Sequence, residues 1–288
     1  MKKLLLTIFM TLPVIVGCVG DKPLSQLEAT DEEAIYNVVM LDYSRLAQLE
    51  ILPANLPDTL AFIANPDSVH PVGWHKVAEI NETFDVTISD QPVQSPYGLV
   101  YQGTANFTRT WTGAFEILRY NGQADSLERY SKDFALRGTR TAICLKLGIT
   151  SQRRGWHLTS IGDARFESPG QSYPFLDDLY FHAHSNPDSV FAFGMHATED
   201  LLEFESGEEL TINFNYHDQH DLVLLYIPVN NYSYQLAEPQ PRDGGGFEVV
   251  FDLPQVTRIY GQFKFLVVNA GQYGANYKAI GFSYNYRI

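Results

Sequence analysis

The chain has 288 residues, with 34 acidic against 20 basic side chains and a formal charge of −14. A surface this acidic repels phosphate backbones and anionic headgroups, which excludes nucleic acid as an expected partner and a basic patch as a membrane anchor. Two cysteines cannot build a disulfide framework, so the core has to come from burial, for which 45% hydrophobic and 13% aromatic residues are ample.

Lys2 and Lys3 open the chain, Leu4 to Val16 are mostly apolar, and Ile15-Val16-Gly17-Cys18 closes the run. This stretch is too short for a permanent bilayer span and has no charged stop-transfer flank. It resembles the lipobox signal of bacterial lipoproteins. The resemblance implies that residues 1–17 are a signal peptide, that Cys18 carries acyl chains such as palmitate, and that 18–29 form a tether. Without Lys2 and Lys3 the balance becomes 18 basic against 34 acidic residues, or −16. Two or three chains on one cysteine satisfy the condition for stable anchoring. Val19 stands where some bacteria place the Asp that retains lipoproteins in the inner membrane. That favours an outer-membrane address, facing the periplasm or the cell surface.

Thr30 and Glu33 have capping-box spacing, with Asp31 and Glu32 in the first turn. The pattern predicts a helix to about Glu50, with the apolar stripe Ile35, Val38, Val39, Leu46 and Leu49, and with Asp42 inside that stripe. Residues 51–83 hold four prolines and read as irregular. From Phe84 the period is two. Long strands are expected over about Leu99–Leu118 and Phe134–Ile149, with a bulge near Gly138, and another over Trp156–Phe166. The composition shifts near Glu167 to Pro174, so 169–176 read as a linker. Beyond it, six to eight short strands separated by Asn, Pro, Gly and Asp suggest an immunoglobulin-like sandwich. The expected class is therefore an α+β N-terminal domain over 30–168, with a helix packed on a curved antiparallel sheet. An all-β immunoglobulin-like sandwich over 177–288 follows it.

Ala34 to Leu49 as an opening helix and Arg154-Gly155-Trp156-His157-Leu158-Thr159-Ser160-Ile161 as a closing strand resemble the nuclear transport factor two-like, or cystatin-like cone, superfamily. That resemblance implies a pocket between helix and concave sheet face. The superfamily includes isomerases, dehydratases and non-catalytic binding modules, so fold alone does not imply catalysis.

Asp42 among apolar neighbours is a candidate general base. Arg109 lies on an otherwise apolar face with Phe107, Trp111 and Phe115. It is a candidate anchor for a ligand carboxylate, a partner for Asp42, or a cation stacked on Trp111. His182 and His184 share a strand face, and His217 and His220 sit in a polar connection. Together they are the weak candidates for a metal site, with spacing that matches no specific motif. His70, His75, His157 and His196 read as isolated loop or edge residues. Cys144, in an apolar run, reads as a buried inert thiol. Phe282, Tyr284 and Tyr286 share a face of the last strand, either as core or as a sugar platform. No Gly-x-Ser-x-Gly, Ser-x-x-Lys or His-Glu-x-x-His occurs. The expected function is a non-catalytic binding or structural module of the cell envelope for a partner or small ligand, without a cofactor. The alternatives are a cone-fold isomerase or lyase using Asp42, or polysaccharide binding by the sandwich aromatics. Its expected partners are the membrane, through Cys18, and an envelope protein or glycan.

Overall fold

The computed structural model describes residues 28–51, 72–121, 126–148, 152–170, 177–185, 189–190, 193–215, 222–228, 234–237, 239–242, 246–255, 260–268 and 277–288. Cys18, the signal segment, His70, His217, His220 and positions 171–176 of the expected linker lie outside these residues. No helix among the described residues is long and apolar enough to cross a membrane.

The helical segment is short and broken. Helix α1 covers Asp31–Asn37, a π turn covers Val38–Asp42 and α2 covers Ser44–Ala47. Thr30 caps α1: its Oγ1 accepts from the Glu33 N–H at 3.1 Å, while the Glu33 carboxylate accepts from the Ala29 N–H at 2.7 Å. The wide turn closes where the Tyr43 N–H donates to the Val38 carbonyl at 3.1 Å. One extra residue per turn rotates Asp42 out of the apolar stripe, while Val38, Val39 and Leu46 stay buried.

The first strands are β1 (Val72–Ile88), β2 (Val93–Ser95), β3 (Gly98–Val100), β4 (Gln102–Asn121), β5 (Ser126–Lys146), β6 (Trp156–Gly162) and β7 (Ala164–Glu167). Next come β8 (Asp177–Ala183), β9 (Ser189–Val190), β10 (Met195–Ala197), β11 (Leu202–Glu203), β12 (Glu209–Asn215) and β13 (Leu222–Pro228). The last are β14 (Tyr234–Ala237), β15 (Gln240–Pro241), β16 (Phe247–Asp252), β17 (Tyr260–Val268) and β18 (Ala279–Arg287). Among the described residues one eleven-stranded sheet runs β1-β4-β5-β7-β18-β17-β13-β14, with β6, β10 and β11 branching from it. A five-stranded sheet runs β15-β16-β12-β8-β9.

The large sheet has two faces with separate cores. Its inner face carries Phe107, Trp111, Leu136, Phe166, Leu224 and Leu266, and the helical segment packs into that cluster through Ala34, Ile35, Val38 and Leu46. Each such side chain contributes about 1.5–3 kcal/mol when fully buried. Close approach is permitted by glycine. A Cβ on Gly281 would lie 2.7 Å from Ile51 Cδ1, and one on Gly103 would run into Ile35. The outer face of β13, β17 and β18 packs on the five-stranded sheet through Phe263, Phe265, Phe282 and Tyr284 against Phe181, Ile212 and Phe214.

This architecture corrects the expected class. It is mostly β, a curled antiparallel half-barrel with one short helix, and not an α+β cone with a packed helix followed by an immunoglobulin-like sandwich. Two physical causes account for the difference. The π turn interrupts the α-helical ladder and leaves two short pieces, Asp31–Asn37 and Ser44–Ala47, where one continuous helix was expected. β7 also pairs on one side with β5 and on the other with β18, so a strand of the earlier stretch continues directly into strands of the later one. Period-two alternation marks a strand but does not say which strand it pairs with.

Candidate functional site

Asp42 is tied to the loop before β6. Its carboxylate accepts from Arg153 Nε at 2.8 Å and Nη2 at 2.7 Å, and the side chain is 37% exposed. Arg153 Nη1 also donates to Glu28 at 2.5 Å, Arg154 Nε to Asp31 at 2.5 Å, and Lys146 Nζ to Asp31 at 2.8 Å. Burial opposes the Glu28 charge, but hydrogen bonds from Arg153 and Asn37 outweigh it and hold that carboxyl below its ordinary range. Arg153 and Arg154 both adopt the left-handed backbone conformation, φ 51°. That conformation costs a non-glycine residue on the order of 1–2 kcal/mol each, and the ion pairs offset it. The cluster is a clamp that fixes the N-terminal segment to the sheet.

Arg109 is engaged elsewhere. Its Nε lies 2.9 Å from Glu82, its cross-strand neighbour, without hydrogen-bond alignment, and its Nη1 donates to Glu50 at 3.5 Å. The guanidinium sits 5.3 Å from the centre of the buried Trp111 ring. Asp42 and Arg109 therefore serve different partners, and the pairing weighed from sequence is replaced by Asp42–Arg153.

His182 and His184 are exposed, and no group of three His, Cys, Asp or Glu residues among the described ones is arranged to hold a metal. Tyr284 and Tyr286 face the core, not a surface platform. Cys144 is fully buried, and burial pushes its thiol up to about 12. His75 lies on β1, the strand at the edge of the large sheet, yet its side chain is buried. It is buried among Phe115, Phe134 and Tyr277, bonds Tyr277 through Nε2 at 2.8 Å, and burial lowers its pKa to about 3. His196 pairs with the buried Asp163 at 2.8 Å. The Asp163 hydrogen bond raises its pKa.

A further set of residues, missed in the sequence, lies on the inner face of the large sheet. Ser283 is opposite Ala164 on one side and Lys264 on the other, and Lys264 is opposite Tyr226. Thr139 is opposite Arg165, which makes Arg140 and Ala164 neighbours on the inner face. Residues directly opposite share a face, so Arg140, Ala164, Ser283, Lys264 and Tyr226 form one row across five strands. The small Ala164 lets the Arg140 side chain lie across β7, where Nη2 donates to the Ser283 carbonyl at 3.3 Å.

This row is buried beneath the helical segment. Arg140 is 2% exposed and Lys264 3%. Among the described residues, Arg140 Nε, Arg140 Nη1 and Ser283 Oγ have no hydrogen-bond partner. Lys264 Nζ sits 4.0 Å from the centre of the Tyr234 ring. Among the described residues no carboxylate forms an ion pair with Arg140 or Lys264. Burial lowers the Lys264 pKa to about 7, with Arg140 and Arg109 adding repulsion and Glu50 opposing it. Burial also lowers Arg140 to about 10, against the attraction of Asp163. Gln262 and Asn285 finish the row's edge: Gln262 Nε2 donates to the carbonyl of Leu46 at 3.0 Å and to Asn285 Oδ1 at 3.1 Å, fastening the helical segment to the sheet.

Among the described residues, two nitrogens of Arg140 and the Ser283 hydroxyl thus meet no acceptor. Ser283 Oγ makes no hydrogen bond to Lys264, although the two residues are cross-strand neighbours. The signal that would have found the row is the pair of polar residues Lys264 and Ser283 inside strands whose other face is strongly aromatic. Neither a protein family, nor a curated protein, nor a solved structure matches this chain.

Proposed function

We propose that the protein is a lipid-anchored cell-envelope module that holds a small ligand or partner without catalysing a reaction. Acyl chains on Cys18 attach it to the membrane, with the outer membrane as its address. The observation that supports the binding role is the set of buried donors on Arg140 and Ser283 that have no acceptor among the described residues. A buried polar group left unpaired costs about 1–3 kcal/mol, and a bound group that accepts those hydrogen bonds recovers it. The one carboxylate offered by the sequence as a base, Asp42, is held by Arg153 in a bidentate pair.

Two measurements test this reading. Radiolabelled palmitate should enter the wild-type chain and not Cys18→Ser, and the wild type should sediment with membranes. Native mass spectrometry of protein released gently from those membranes should show a bound small molecule in stoichiometric amount. Failure of labelling removes the anchor, and a ligand-free chain removes the small-ligand role.

A further inference from the structure

The chain carries a large excess of acids, 34 against 20 bases, yet its inner sheet face gathers Arg109, Arg140 and Lys264 close enough for Arg140 and Arg109 to repel the Lys264 charge. The carboxylates bound to Arg109 sit at the rim: the side chains of Glu50 and Glu82 are 55% and 60% exposed. Among the described residues the two deepest cations, Arg140 and Lys264, form no ion pair with a carboxylate, although Asp163 attracts Arg140 and Glu50 attracts Lys264 from farther off. Random placement of charge in an acidic protein does not concentrate cations in its least solvated region, because desolvation disfavours each and mutual repulsion adds to it. A counter-charge supplied from outside the chain removes both penalties.

We propose that the inner face between Arg140 and Lys264 is a binding site for a small oxyanion, a carboxylate or phosphate group, held by the Arg140 guanidinium, the Lys264 ammonium and the Ser283 hydroxyl. Arg140 uses Nη2 on the Ser283 carbonyl, and its Nε and Nη1, which face different edges of the guanidinium, remain as two separate donors for the ligand. Lys264 supplies the second charge from the adjacent strand, and Ser283 Oγ a third donor between them. Phe107, directly opposite Arg140, and Tyr226, directly opposite Lys264, belong to the buried hydrophobic cluster. Apolar surroundings strengthen the electrostatic interaction and suit an anion that carries a hydrocarbon part. The inference rests on the binding-module reading and names the chemistry of its ligand.

The test uses the full chain purified in non-ionic detergent and titrated at constant ionic strength with phosphate, acetate or butyrate against a chloride background. A saturable rise in the thermal unfolding midpoint is expected with at least one oxyanion. The apparent Kd should weaken at least tenfold in Lys264→Met and in Ser283→Ala. Butyrate binding more tightly than acetate identifies an organic acid as the source, and phosphate alone being effective identifies a phosphate. A measurement on the wild type alone accompanies the variants. Calorimetry of acetate binding at pH 8, in two buffers of different ionisation heat, should show proton uptake as Lys264 becomes charged. Absence of any oxyanion effect in the wild type, an equal effect in folded Lys264→Met, or binding without proton uptake overturns the proposal. If the oxyanions fail while native mass spectrometry still finds a neutral bound molecule, the anion site falls and the binding-module reading stands. If neither is found, both fall.

Discussion

Compare the two faces of β17 and β18. Toward the five-stranded sheet they present Phe263, Phe265, Phe282, Tyr284 and Tyr286, and Phe263 stacks on Tyr286 with ring centres 4.4 Å apart. Toward the helical segment the same strands present Gln262, Lys264, Ser283 and Asn285. Both faces are buried to the same degree. An ordinary antiparallel strand sets its polar face in water; here that face is covered, so its polar atoms have to find partners inside the protein. Gln262 and Asn285 find some, while Nε and Nη1 of Arg140 and the Ser283 hydroxyl find none among the described residues. The aromatic face is built for cohesion. The polar face gives up cohesion, which is the usual mark of a surface kept for binding.

The comparison is broken most directly by truncating the aromatic side. Phe263→Ala or Phe282→Ala should cost about 3–5 kcal/mol each, read as a fall in the urea unfolding midpoint. Loss of the folded state on that side, against tolerance on the other, is the expected contrast.

The next effect concerns Lys264. Its native pKa of about 7 lies below its ordinary 10.5. Between those values the unfolded chain holds a proton that the native chain does not, so stability rises with pH across that window and the penalty is complete below pH 7. In chloride buffer Lys264→Met should therefore stabilise the protein, by a few kcal/mol at pH 6, on the order set by the shift. The gain should shrink toward pH 10. Denaturant midpoints at both pH values check the sign, and a destabilised Lys264→Met at pH 6 would mean that the charge is compensated.

His75 sharpens the comparison from the cohesive part of the inner face. Its pKa falls from 6.5 to about 3 by burial, so stability should decline as pH drops through that range while the unfolded chain takes up the proton. His75→Phe should flatten this decline, by up to about 4 kcal/mol near pH 3. The smallest effect belongs to the clamp. Asp42→Asn weakens a half-exposed pair with Arg153 and should cost about 0.5–1 kcal/mol, seen as a slight fall in Tm with oxyanion binding unchanged.

The local elements were legible in the residues. Thr30 caps its helix as its spacing implies, the period-two stretches around β4, β5 and β18 are strands, and Phe282, Tyr284 and Tyr286 do share one face. Those are consequences of side-chain chemistry within a few residues, and neighbours in sequence are enough to express them. The length of the helix was not legible. The π turn that takes Asp42 out of the stripe sets its carboxylate on Arg153, more than a hundred residues away.

What the sequence by itself determined is thus the alternation, the caps, the acidic balance and the aromatic wealth of the later strands. The tertiary structure alone decided that β7 bridges β5 and β18, because hydrogen-bonded pairing joins segments that carry no mark of their partner. It alone decided that the polar side of β17 and β18 lies under the helical segment, since burial is a property of what covers a face and not of the face itself. Arg140 lies more than a hundred residues from Lys264 and Ser283 along the chain. They become a buried cationic row only when strands from both ends of the sequence are set side by side.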